Sequence, residues 1–118
     1  MLDREIVIGT TTHIPMMFLD ENGYGIDHTV GSRVTKLRLT LEGDSTPSYT
    51  LETTDTGEFT WTSQANGEGT WLFQSDDVFV AGTYHASVVY TDPAQTPDDV
   101  HLLGEATYLI KNPNTGAL

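Results

Sequence analysis

Apolar side chains recur at every second residue along most of this chain, the period of a strand with one buried face. In "RVTKLRLTLEG", Val34, Leu37, Leu39 and Leu41 stand among Lys36, Arg38 and Thr40, with strict alternation from Lys36 to Leu41. Three bases, Arg33, Lys36 and Arg38, line the outer face of this strand and are expected to pair with acids on a neighbour. "TTHIPMMFLDENGYGI" places Ile14, Met16 and Phe18 on one face and His13, Met17 and Leu19 on the other. Pro15 has no N–H to give to a ladder, which predicts an edge strand or a bulge. Asp20 to Gly23 reads as the turn that follows.

"SYTLETTDTGEFTWTS" predicts a hairpin. Tyr49, Leu51 and Thr53 alternate on its first arm, Phe59 and Trp61 share a face of its second, and Asp55 to Gly57 supplies the turn. "NGEGT" reads as another hairpin turn, leading into a strand with Trp71 and Phe73 on one face. "SDDVFVAG", with Ser75 as cap and Asp76 and Asp77 ahead of apolar residues, predicts one helical turn. Gly82 permits a tight reversal into "TYHASVVYT". There Tyr84, Ala86, Val88 and Tyr90 oppose His85, Ser87, Val89 and Thr91. In "GEATYLIKN", Ala106, Tyr108 and Ile110 share the inner face of a closing strand.

Seven or eight short strands with frequent turn signals and no long helix predict an all-β fold, an immunoglobulin-like β-sandwich. The 118 residues suit one domain, 1–118, with 112–118 as a C-terminal tail. The absence of cysteine removes the disulfide of antibody domains, thiolate metal sites and a cysteine nucleophile. The start "MLDREIVIG" carries acids where a secretory leader carries bases, and no apolar run is long enough to span a bilayer. A formal charge of −12 repels phosphate backbones and anionic lipid, so neither nucleic acid nor membrane is an expected partner.

Turn chemistry accounts for most candidate sites. In "DPAQTPDDVH", Asp92, Asp98, Asp99 and His101 could face a hard cation, but the spacing lacks the alternating oxygen ligands of a calcium loop. Asp20, Asn22, Asp76 and Asp77 read as turn and cap residues, so no metal and no cofactor is expected. His13, His28, His85 and His101 show no zinc-type spacing and are expected as surface or strand-face imidazoles. No G-x-S-x-G or phosphate-binding glycine loop is present, and no enzymatic activity is expected. Trp61 and Trp71 could form a sugar-binding platform if exposed; their apolar neighbours favour burial.

The order of motifs carries a resemblance. "IVIGTTTHIPMMFLDENGYGID", "RVTKLRLTL", "GTWLFQSDDVFVAGTYHASVVYTD" and "VHLLGEATYLIKNP" together resemble small phage tail and baseplate modules. The likeness runs over about residues 5 to 113 and is to the N-terminal domain of baseplate upper proteins and to β-sandwich domains at the roots of phage fibres. It implies a structural virion protein, made in the host cytoplasm and present in many symmetric copies or as a homo-oligomer, whose partners are other virion proteins. In that family the module often attaches a longer fibre or receptor-binding part. This chain ends after it, from which a connector, plug or attachment role is expected. A head decoration or head-to-tail joining protein, and a carbohydrate-binding module, are the alternatives. The contact regions expected are the hairpin tip, with Asp92, Pro93, Gln95, Pro97, Asp98 and Asp99, and the terminal segment, with Asn112, Pro113 and Asn114.

Overall fold

Two sheets face each other in the computed structural model, which describes residues 1–74 and 80–113. The strands are β1 (Arg4–Val7), β2 (Thr11–Met17), β3 (Val34–Leu41), β4 (Tyr49–Glu52), β5 (Phe59–Ser63), β6 (Glu68–Gln74), β7 (Gly82–Asp92) and β8 (Asp99–Lys111). The larger sheet has the order β1-β8-β7-β3-β4 and the smaller β2-β6-β5. Neighbours pair antiparallel except β1 and β8, which run parallel. The helical part of the described chain is one 3-10 turn, Gln64–Asn66, inside the β5–β6 hairpin.

The alternation places side chains as the sequence predicts. Leu37 and Leu39 of β3, Tyr84, Ala86 and Val88 of β7, and Tyr108 of β8 are buried from the larger sheet. Ile14, Phe18, Phe59, Trp71 and Phe73 meet them from the smaller sheet and its flank. Burying each large apolar side chain is worth roughly 1.5–3 kcal/mol. Pro15 lies on β2, an edge strand. The Phe18 N–H donates to Gly67 O at 2.8 Å on the β6 side. By the two-residue period, Pro15 therefore turns its missing N–H to the open rim. Lys36 pairs with Glu52 of β4 at 3.4 Å, on the expected outer face.

Some expectations change. Tyr49–Glu52 and Phe59–Ser63 are strands, but not a hairpin: β4 pairs with β3 and β5 with β6. The Asp55 turn is a corner where the chain switches sheets. Asp55 Oδ1 accepts the Gly57 N–H at 3.0 Å, and Asp55 O accepts from Glu58 and Phe59. Periodicity identifies a strand but not its partner. In β3 the inward residue before Leu37 is Thr35, fully buried, while Val34 is half-buried on the outer face. Arg33 has the parity of Thr35, so it sits on the inner side at the mouth of the sandwich. The helical turn expected at Ser75, Asp76 and Asp77 lies outside the described residues.

β7 and β8 form the long hairpin of the larger sheet, with Asp92 opposite Asp99 and a bulge beyond Val88. Residues 93–98 make its loop, shorter than the sequence suggests because the strands continue into the polar stretch. β1 covers β8 only from Tyr108 to Lys111.

Candidate functional site

The hairpin end of the sandwich gathers charged side chains from several elements, among them Asp20, Asp27, Arg33 and Asp99. Residues 18–33 cross there from β2 to β3, over the gap between the sheets. Leu19 and Gly25 form an isolated bridge, and Asp20 Oδ1 accepts the Asn22 and Tyr24 N–H groups, each at 2.9 Å. The loop closes on Gly67, whose φ of 67° is left-handed. A Cβ there would stand 2.8 Å from both Ile26 O and Phe18 O, so only glycine allows this approach.

His28 lies under the loop, 4% exposed. Its ring packs among Phe18, Trp61 and Tyr90, at centroid distances of 5.4, 4.8 and 5.7 Å. Nδ1 is 2.9 Å from Ile26 O, and Nε2 is 2.7 Å from Thr35 Oγ1. A carbonyl can only accept, so Nδ1 carries the proton and Nε2 accepts from the threonine hydroxyl. Thr53 Oγ1 continues the network by accepting the Thr35 N–H at 3.1 Å. Burial pushes the His28 pKa below its ordinary value, keeping the ring neutral. This imidazole is a core residue, not the surface group its spacing suggests.

Arg33 and Asp92 form a second fixed unit. Arg33 Nη1 donates to Asp27 O at 2.8 Å, and Nε to Asp92 Oδ2 at 3.3 Å. Asp92 Oδ1 accepts the Ala94 N–H at 3.0 Å. At 5% exposure Asp92 is a buried partner of Arg33, not part of a solvated tip. The sequence hides this because the two residues are 59 positions apart.

Between the loop and the first residues of β8 lies a cleft of about 460 Å³. Leu19, Ile26, Leu102 and Leu103 supply apolar wall, and Asp20, Glu21, Asp27 and Asp99 supply carboxylates. Arg33, His101 and Tyr90 complete it. Asp27 accepts from the Thr29 hydroxyl and N–H, at 2.5 and 2.8 Å, which holds its carboxyl below the ordinary range. His101 Nε2 meets Asp99 Oδ1 at 2.8 Å, and its ring stacks on Tyr90. Among the described residues, the walls hold no serine, threonine or cysteine to serve as nucleophile. Among the described residues, no three His, Asp or Glu side chains gather as a metal-ligating group. The arrangement suits attraction of a positively charged group.

Pro93, Gln95, Pro97 and Asp98 are exposed on the hairpin loop, while Asp99 begins β8 and joins the cleft wall. Asn112 and Pro113, also exposed, follow the far end of β8; Asn114 lies outside the described residues. The 13 residues of β8 separate the two groups by about 40 Å at the usual strand rise. Trp71 is fully buried, so it offers no ring face, and Trp61 is half-buried against the core. Further down the same flank a groove of about 260 Å³, lined by Met1, Leu2, Met16 and Met17, shares Leu103 with the cleft. No family model matches the chain, and no curated protein matches it.

Proposed function

We propose that this chain is a structural virion protein of a bacteriophage, a tail, baseplate or fibre-attachment component that acts through subunit assembly. The observation that carries this reading is the separation of the two exposed groups along β8. One elongated body, 47 × 29 × 23 Å, offers a hairpin tip at one end and the Asn112–Pro113 segment at the other. A connector between neighbouring subunits needs that layout, and repetition of copies would add avidity. The motif resemblance supplies the phage context. Fully buried Trp71 and packed Trp61 weigh against a sugar platform.

The immunoglobulin-like character of the sandwich belongs to the same proposal. The order β1-β8-β7-β3-β4 facing β2-β6-β5 suits strands of that fold taken in chain order from A to G, with a C′ strand. Near the start of β7, Tyr84 donates its hydroxyl proton to Val80 O at 2.6 Å, the arrangement of a tyrosine corner. Ala86, two residues on and fully buried, stands where antibody domains keep their second cysteine. Tyr84→Phe is expected to cost about 1 kcal/mol in urea unfolding, the net worth of one such bond. An unchanged midpoint would remove the corner as a stabilising element.

The functional test is location. Antibody raised against the purified protein is expected to label the tail or baseplate of purified phage particles in electron micrographs. Labelling on the capsid would favour a head decoration protein, and absence from purified particles would overturn the reading.

A further inference from the structure

The larger sheet is left open along part of one strand. β1 covers β8 from Tyr108 to Lys111, and Asp3 Oδ1 takes the Thr107 N–H at 2.9 Å. From Asp99 to Leu103, no strand lies on that side of β8 among the described residues. The remaining rims are guarded in the ways edge strands commonly are. Pro15 interrupts the donors of β2, β5 is bulged between Trp61 and Ser63, and β1 and β4 are four residues each; β8 has its own bulge at Leu103, so its regular open edge is Asp99 to Leu102. Beside the open stretch of β8, Val100 and Leu102 are 56% and 57% exposed.

The acidic cleft borders this same stretch, with Asp99, His101, Leu102 and Leu103 in its wall. Asp20, Glu21 and Asp27 face them from the loop. Arg33 does not cancel that field, because its charge is already met by Asp92. Unpaired backbone groups select an extended chain, exposed apolar side chains select apolar neighbours, and the carboxylates select a cation.

We infer that the edge of β8 from Asp99 to Leu102 takes an extended segment of a partner protein by β-strand addition, with lysine or arginine side chains of that segment entering the acidic cleft. The inference rests on the assembly reading and gives that reading a surface and a partner chemistry. A strand laid along β8 sends alternate side chains to opposite faces. One set lies beside Val100 on the outer face, with Leu102 at the border between that face and the cleft, and the other projects over Asp99 and His101 in the cleft wall. The segment is therefore one in which apolar and basic residues alternate. Backbone pairing supplies affinity, and the alternate side chains supply selectivity.

The test uses the full chain labelled with nitrogen-15 and two blocked peptides. One alternates valine and lysine; the other alternates valine and glutamate. The lysine peptide is expected to slow amide exchange at Val100 and Leu102 at least about tenfold, and to bind more weakly as salt is raised. In the double variant Asp20→Asn, Glu21→Gln, the amide keeps an acceptor for the turn, and affinity is expected to fall about tenfold. No protection at millimolar lysine peptide, protection confined to β4 or β5, or equal binding of the glutamate peptide would each overturn the inference. A protein that labels phage tails yet ignores the lysine peptide loses this inference alone. One that binds the peptide at β8 yet is missing from particles loses the assembly reading alone.

Discussion

Truncation of Trp71 to alanine is expected to cost about 3–5 kcal/mol, the range for removing a large aromatic from a packed core. The indole is 0% exposed at the centre of the smaller sheet, opposite Ile14 of β2 and Phe59 of β5. Phe18 and Phe59 meet it edge-on at 5.4 and 5.0 Å. Its loss would empty a volume bounded by three elements that cannot all move inward together. Small domains have a total stability of only about 5–15 kcal/mol, so this one truncation removes a large fraction of it. Trp71→Phe separates the ring from its nitrogen. Indole Nε1 is buried with no hydrogen-bond partner among the described residues, so the phenylalanine variant leaves none of their polar groups orphaned and should lose much less than alanine. Urea unfolding of both variants, followed through the remaining Trp61, is the measurement. A loss below about 1 kcal/mol for the alanine variant would show that Trp71 is not a keystone of the core.

Acid lability through His28 is the second large effect expected. Burial is the main cause of its lowered pKa; the nearby Arg33 acts the same way, while Asp27 and the Ile26 carbonyl oppose it. The ring is therefore neutral when folded, whereas in the unfolded chain it titrates near 6.5. Below that pH the unfolded state binds the proton first, so stability falls as pH falls. The slope is at most about 1.4 kcal/mol per pH unit, and it ends once the folded pKa is passed. Above pH 6.5 His28 contributes no pH dependence. Asp27, whose lowered pKa is stabilising above its unfolded value, loses that contribution only at lower pH, beneath about 4, so the two windows separate. Urea midpoints at pH 7, 6 and 5 should drop for the native sequence and flatten for His28→Gln. An equal slope in both proteins would assign the acid response to other groups.

How far the sequence can be read follows from where each signal resides. Alternation is local, so Leu37 and Leu39, the run from Tyr84 to Tyr90, and the trio Ala106, Tyr108 and Ile110 declare their faces without help. Pro15 declares a rim because its missing donor is a property of one residue. Pairing is not local. Tyr49 and Phe59 look like arms of one hairpin, and only the contacts of Leu51 with β3 and of Phe59 with β6 divide them between sheets. His28 and Asp92 look like loop residues because the groups that bury them come from distant strands. One clue was present: Arg33, Thr35, Leu37 and Leu39 share a parity, which puts a charged and a polar residue on an inward face. Such residues imply buried partners, which prove to be Asp92 and His28.

The parallel register of β1 and β8 also fixes how the body would carry tension. Arg4 to Val7 and Tyr108 to Lys111 point the same way. A pull that draws Arg4 backward and Lys111 forward loads this four-residue contact in shear, so its bonds share the force and yield together. A connector stretched between those two points would resist with the whole patch, whereas an antiparallel pair pulled apart from one end would open one rung at a time.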